Sequence, residues 1–60
     1  NRRGSELIGR TFVLHEAIVG GRGKIRAGDS LWLVTGSDLA VGSAVRVVGQ
    51  DGVLLRVEAV

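Results

Sequence analysis

Residues 24–34, KIRAGDSLWLV, have the pattern of a β-hairpin. Gly28 and Asp29 separate two short apolar segments, and glycine at the first central position fits a two-residue type II′ turn. Because such a turn fixes the strand register, it predicts that Ile25 lies opposite Trp32 on the inner face of a sheet. We expect the indole of Trp32 to anchor the core.

The same register assigns the remaining side chains of the hairpin to one face or the other. It predicts three further cross-strand pairs: Lys24 with Leu33, Arg26 with Leu31, and Ala27 with Ser30. Val34 then joins Trp32 on the inner face, because side chains alternate along a strand. Lys24 and Arg26 are predicted to face water.

Further strand-like segments flank the hairpin and are separated by glycine or Asp-Gly. The five segments are residues 10–14 with an extension to 19, residues 24–26, a third that ends at Thr35, residues 44–49 and residues 53–57. A bend or bulge is expected near Glu16, and residues 20–23 form a glycine-rich loop. Residues 37–42 form a corner suited to a single helical turn, with Leu39 packed on one end of the core.

The last two segments are joined by residues 50–52, which fit a three-residue hairpin loop with Gly52 at a positive φ. The register that follows pairs Val45 with Val57, Val47 with Leu55, and Arg46 with Arg56. Two arginines directly opposite each other repel by a few tenths of a kcal/mol, so this pair is a local conflict unless Glu58 or a partner offsets it.

The composition also favours strands. The 60 residues include ten glycines and no proline, and the apolar set is mainly Val, Leu, Ile and Ala. No cysteine and a single histidine make a zinc site a poor prediction. The longest apolar run, residues 31–34, is far shorter than the roughly twenty residues that cross a bilayer.

Five segments in this order predict an all-β fold, a five-stranded OB-fold-like small β-barrel. An SH3-like barrel is the nearest alternative. The break near Glu16 favours the OB-fold, because it lets one long first strand serve two parts of the barrel. We expect no enzyme and no cofactor, since His15 stands alone and the serines lie near turns or termini.

Many OB-folds bind single-stranded nucleic acid, and this is the alternative function. Such binding uses exposed aromatic platforms beside a basic groove. Phe12 and Trp32 are the only aromatic residues, and both are assigned to the core. A net charge of +2 permits a nucleic-acid partner without indicating one.

Several motifs resemble those of a known family. They are LIGR at residues 7–10, GRGKIRAGD at 21–29, LWLV at 31–34, GSAVRVVG at 42–49 and GVLLRVE at 52–58. Together they resemble the C-terminal soluble domain of the short, membrane-anchored NfeD proteins. The resemblance implies an OB-fold domain at residues 7–60 and a juxtamembrane flank or linker at residues 1–6.

The resemblance also carries expectations about function. It implies transmembrane helices ahead of Asn1, in an inner membrane protein. Arg2 and Arg3 would then place the domain on the cytoplasmic side. It further implies a non-catalytic interaction module whose partner is a stomatin-like or flotillin-like (SPFH) membrane protein. The role would be modulation of a membrane protease or of membrane-domain organisation.

The candidate interaction surface consists of outward apolar and basic residues. Its members are Val48, Leu54, Arg46, Arg56, Arg22 and Lys24, and Val13 and Val41 are further apolar candidates. Apolar side chains ringed by arginines suit a protein partner better than RNA.

Overall fold

A computed structural model of the chain describes residues 5–60. A short 3-10 helix spans Ser5–Leu7, and five strands follow. The strands are β1 (Thr11–Val19), β2 (Arg22–Ala27), β3 (Ser30–Thr35), β4 (Ala44–Asp51) and β5 (Leu54–Ala59). Arg22 and Gly23, which the sequence assigns to a loop, therefore belong to β2.

The strands close into one barrel in the order β1-β2-β3-β5-β4, with β1 and β4 completing the ring. Neighbouring strands are antiparallel except for β3 and β5, which run parallel. This connectivity is the Greek-key order of the OB-fold, so the predicted fold class is confirmed.

The first strand can serve both sides of the barrel because its pairing is interrupted. Its register with β2 shifts on both sides of Glu16, which confirms the predicted bulge. The early residues of β1 instead pair with β4, where Thr11 lies opposite Arg46. The bulges increase the local twist and let the strand coil around the barrel.

Gly23 makes this bulged strand possible. A Cβ at this position would lie 2.8 Å from Cγ1 of Ile18 and 3.0 Å from the carbonyl oxygens of Ala17 and Glu16. Those distances are too short for a carbon atom, so β1 can approach β2 this closely only opposite a glycine.

The β2–β3 hairpin has the predicted register, with Ile25 opposite Trp32 and Lys24 opposite Leu33. Gly28 has φ +63°, and no residue other than glycine has a positive φ within residues 5–60. A positive φ at the first central position alone matches the predicted type II′ turn.

The core is aliphatic, and the prediction that Trp32 anchors it is wrong. The fully buried side chains belong to Leu14, Ile18, Ile25, Val34, Val45, Val47 and Leu55. Trp32 and Phe12 are only partly buried and pack against this cluster. Because the interior of a small barrel holds only a few side chains, branched aliphatic residues fill it and the larger rings remain at its edge.

The predicted register of the last hairpin is also wrong. Asp51 pairs with Leu54, so the loop is a two-residue turn of Gly52 and Val53, and a bulge interrupts β4 between Val47 and Gly49. The extra residue is Val48. The predicted Val45–Val57, Val47–Leu55 and Arg46–Arg56 pairs are replaced by Val45 with Ala59, Val47 with Val57, Gln50 with Leu55, Arg46 with Glu58, and Arg56 with Gly49.

The corner between β3 and β4 contains turns and bends but no helical turn. Leu39 instead forms a two-way backbone bridge with Ile18, with N···O distances of 2.9 and 3.2 Å. Its side chain is partly buried against the core, which confirms its predicted packing.

The segment before β1 lies along β4. The N–H of Gly9 donates to the carbonyl oxygen of Val47 at 2.7 Å, and the N–H of Val47 donates to that of Arg10 at 3.0 Å. Leu7 is buried in the core cluster. Residues 7–10 are therefore fixed to the side of the barrel formed by β4.

Candidate interaction surface

The outer side of the β2–β3 hairpin combines leucines with cations. Arg26 lies directly opposite Leu31, and Lys24 lies directly opposite Leu33. Leu31 is 50% exposed and Leu33 is 40% exposed. Alternation produces this arrangement, because the neighbours Ile25 and Val34 face the core.

The apolar surface continues onto β5. In the parallel pairing of β3 with β5, Val34 lies beside Leu55, so Leu33 and Leu54 come next to each other one residue earlier. Leu54 is partly exposed, whereas Leu55 is buried. We call the surface formed by Leu31, Leu33 and Leu54 the leucine face.

A shallow depression lies on the other side of Arg26. Its volume is about 380 Å³, and its lining residues are Val13, Leu14, His15, Arg26, Val41 and Gly42. Two backbone hydrogen bonds of 2.9 Å hold its outer wall against β1, from Gly42 N–H to Leu14 O and from Leu14 N–H to Ser43 O. We call this depression the valine groove, since Val13 and Val41 are its most exposed apolar residues, at 60% and 62%.

The cations near these surfaces differ in their bonding. Nζ of Lys24 lies 3.8 Å from Oε2 of Glu16, which is its partner across β1 and β2. Nε of Arg26 donates to the carbonyl oxygen of Gly28 at 3.3 Å. Within residues 5–60, no carboxylate lies within ion-pair distance of the Arg26 guanidinium. Arg26 is thus an exposed cation held in place by the turn.

The side chain of Arg56 contacts residues of its own hairpin, formed by β4 and β5. Its side chain crosses the outer side of Gly49, where a Cβ would meet the guanidinium, and its Nε lies 3.1 Å from Oδ2 of Asp51. The bulge at Val48 produces this arrangement, because it turns Gly49 and Asp51 to the same face as Arg56.

The structure divides the six predicted interaction residues between two sides of the barrel. Lys24 and Leu54 lie at or beside the leucine face. Val48, which is 38% exposed, lies on β4 with Arg46. Leu54 pairs with Asp51, three residues along β4 from Val48. Arg22 lies at the start of β2, opposite Val19.

Leu31, Leu33 and Arg26 were missed as candidate interaction residues. The signal for them was present, because the correctly predicted hairpin register already places both leucines outward beside cations. The sequence predicts Val13 and Val41 as further candidates without relating them to each other. In the structure, both residues line the valine groove.

The comparisons with known proteins agree with this architecture. A family model described as "NfeD-like C-terminal, partner-binding domain" matches residues 4–58. The chain belongs to the NfeD family. The Inner membrane protein YbbJ of Escherichia coli (strain K12) is 49% identical to this NfeD-family chain over 61 residues. The match covers 100% of the chain and 40% of YbbJ, so the chain spans less than half of that relative.

Two solved structures share the NfeD domain fold at a TM-score of 0.81. One is the C-terminal domain of stomatin operon partner protein 1510-C from Pyrococcus horikoshii, 29% identical, with 93% of this chain and 91% of that chain covered. The other is the soluble domain of a membrane protein implicated in regulation of membrane protease activity, from Corynebacterium glutamicum. It is 22% identical, with 93% and 95% covered.

Within residues 5–60, this NfeD domain has neither a metal-ligand cluster nor a helix suited to cross a membrane. No group of three or more His, Asp or Glu side chains there is arranged to hold a metal ion. No helix in that part of the chain has the length and hydropathy of a membrane span.

Proposed function

We propose that this NfeD domain is a non-catalytic module that binds a stomatin-like or flotillin-like (SPFH) membrane protein. The leucine face is the observation that carries the proposal. Leu31 and Leu33 are large apolar side chains left half exposed on a strand, beside Lys24 and Arg26. Burying such a leucine against a partner contributes on the order of 1 kcal/mol.

The names of the relatives support this choice of partner. The family is described as partner-binding, and one structural neighbour is named as a stomatin operon partner. Another neighbour is named for regulation of membrane protease activity, and modulation of such a protease or of membrane-domain organisation is the proposed outcome of binding.

A membrane anchor completes the proposal. The relative YbbJ is an inner membrane protein and extends well beyond the region matched here. We infer that the domain is attached to the inner membrane through residues 1–6, on the cytoplasmic side. Arg2 and Arg3, which suggest that side, lie outside the described residues.

The side of the barrel formed by β4 is a second candidate surface for the same partner. Val48 is exposed there, and Arg46 and Arg56 lie on the same side. Both arginines on this surface have acidic neighbours, Glu58 across the ladder and Asp51 in an ion pair. We therefore rank it below the leucine face.

The leucine face also argues against single-stranded nucleic acid as the ligand. OB-folds that bind oligonucleotides use the outer side of strands 2 and 3, and stacked bases need aromatic platforms there. In this chain the outward residues of β2 and β3 are cations, leucines and small polar residues. Leucine offers no π-surface for a base.

The test uses the membrane-anchored protein that contains this domain and a purified stomatin-like protein in nanodiscs. Leu33→Asp and Leu54→Asp should abolish co-purification, because they place a carboxylate within the apolar contact. Val48→Asp tests the β4 surface, and Val60→Asp, another exposed valine, is the matched control. Full binding by both leucine variants would contradict the proposed surface. Binding of labelled oligothymidylate at micromolar concentration would favour the alternative function.

A further inference from the structure

We propose that the segment seated on the leucine face carries a carboxylate between apolar side chains, and that Arg26 is the residue that receives this carboxylate. The inference rests on the proposed function and adds the chemistry of the partner. The apolar residues of the segment would cover Leu31 on one side of Arg26 and enter the valine groove on the other.

Arg26 is prepared for such a contact. A hydrogen bond of 3.3 Å from its Nε to Gly28 O occupies the donor on one edge of the guanidinium. The Nη groups keep their donors, and within residues 5–60 no carboxylate pairs with them. Because a guanidinium can bind both oxygens of a carboxylate through two parallel hydrogen bonds, an oriented arginine is a specific acceptor for an acidic side chain.

The surroundings of Arg26 define what must flank that acid. Leu31 lies directly across the ladder from Arg26, and the valine groove, which Arg26 itself lines, opens on the other side. Val13 and Val41 leave apolar surface exposed in that groove. The surface therefore alternates apolar, cationic and apolar, and a complementary segment alternates apolar, acidic and apolar.

The other cations are weaker candidates for this role. Lys24 is 3.8 Å from Glu16, and Arg56 is 3.1 Å from Asp51. Each already has a carboxylate on its own barrel, so a partner gains less charge attraction from them than from Arg26.

A second copy of this chain is a poor match for the same surface. The outer side of β1, β2 and β3, with the β2–β3 turn, carries Arg22, Lys24 and Arg26 against two carboxylates, Glu16, which is paired with Lys24, and Asp29. In a two-fold interface the same patch meets itself, so the excess positive charge of one copy would oppose that of the other. A partner of opposite charge fits better.

The direct test uses designed peptides and the ¹⁵N-labelled chain. Three eleven-residue peptides share all positions except the centre, which is Leu-Glu-Leu, Leu-Gln-Leu or Leu-Lys-Leu. We expect the Glu peptide to shift the amide signals of residues 24–33 and 13–15 and to bind about tenfold more tightly than the Lys peptide. The difference should shrink as salt is raised, because exposed charges are screened.

Two variants locate the carboxylate. Arg26→Gln should reduce binding of the Glu peptide to the level of the Gln peptide, while its dispersed amide spectrum reports an intact fold. Arg10→Gln removes another exposed arginine, next to the 3-10 helix, and should leave binding unchanged. Equal affinities for the three peptides, or shifts confined to β4, would overturn the inference. So would a stronger response to phosphatidylglycerol vesicles, oligothymidylate or a second copy of the chain.

The same variants separate this inference from the proposed function. If the stomatin-like protein binds and Arg26→Gln leaves its affinity unchanged, the inference is wrong and the proposed function stands. If the Glu peptide binds at Arg26 but the stomatin-like protein does not bind at all, the proposed partner is wrong and the chemistry of the surface stands.

Discussion

Replacing Gly23 by alanine is the sharpest test of how the barrel closes. The new Cβ would lie 2.8 Å from Cγ1 of Ile18 and 3.0 Å from two carbonyl oxygens of β1. Ile18 is 1% exposed and held in the core, and the carbonyl groups belong to the backbone of the bulged strand. None of these atoms can move away without disturbing the packing or pairing of β1 and β2.

The size of the effect follows from these contacts. Overpacking a well-filled interior costs about 1–3 kcal/mol. Removing a strand glycine recovers about 0.5–1 kcal/mol, because alanine loses less backbone entropy on folding. We therefore expect Gly23→Ala to lower the free energy of unfolding by about 1–2 kcal/mol. That is a large share of the roughly 3–9 kcal/mol that typical per-residue values give for a domain of this length.

The assay is thermal and urea unfolding monitored by circular dichroism. A loss of this size lowers the Tm by about 5–15 °C in a domain this small. Gly49→Ala is the matched control, because the atoms nearest to its Cβ would belong to the flexible end of the Arg56 side chain, which can move into water. If Gly23→Ala is as stable as Gly49→Ala, β1 does not approach β2 as closely as described here.

Three further outcomes are expected. Leu55→Ala leaves a cavity in the core and should lower the free energy of unfolding in urea by about 2–5 kcal/mol, whereas Val53→Ala, at an exposed position, should change it by no more than about 0.5 kcal/mol. Similar losses for the two variants would contradict the assignment of Leu55 to the core and Val53 to the surface. Arg56→Ala breaks the exposed ion pair with Asp51 and should lower the free energy of unfolding by at most about 1 kcal/mol, and by less at high salt. A larger loss that does not depend on salt concentration would contradict the description of this ion pair as exposed and weak. The fluorescence of Trp32 should be quenched by acrylamide in the folded domain, and full protection would show that the indole is buried after all.

The register of the hairpin of β2 and β3 could be predicted because local chemistry determines it. A glycine at the first position of a two-residue turn permits the positive φ of Gly28 and so sets the register. Every inward and outward assignment follows from that register. The sequence therefore suffices to predict that Leu31 and Leu33 face outward. Of the residues in or beside the leucine face, however, only Lys24 and Leu54 were predicted as interaction residues.

The hairpin of β4 and β5 could not be predicted in the same way. Gly52 supplies the positive φ for either a three-residue loop or the observed two-residue turn, and Val45 and Val47 face inward in both registers. Only the bulge at Val48 distinguishes them, and a bulge depends on the curvature of the whole barrel. The prediction that Trp32 anchors the core was wrong for a related reason, since the space inside the barrel depends on all five strands.

The hydrogen bonds between residues 9–10 and Val47 determine on which side of the barrel the chain enters β1. In the ring of strands, β4 adjoins only β1 and β5, so β2 and β3 form the far wall. Gly9 and Arg10 therefore lie next to Val47 of β4, away from Arg26, Leu31 and Leu33 on β2 and β3. With the chain fixed there, the proposed membrane tether would join the barrel on its β4 side and leave β2 and β3 open for docking.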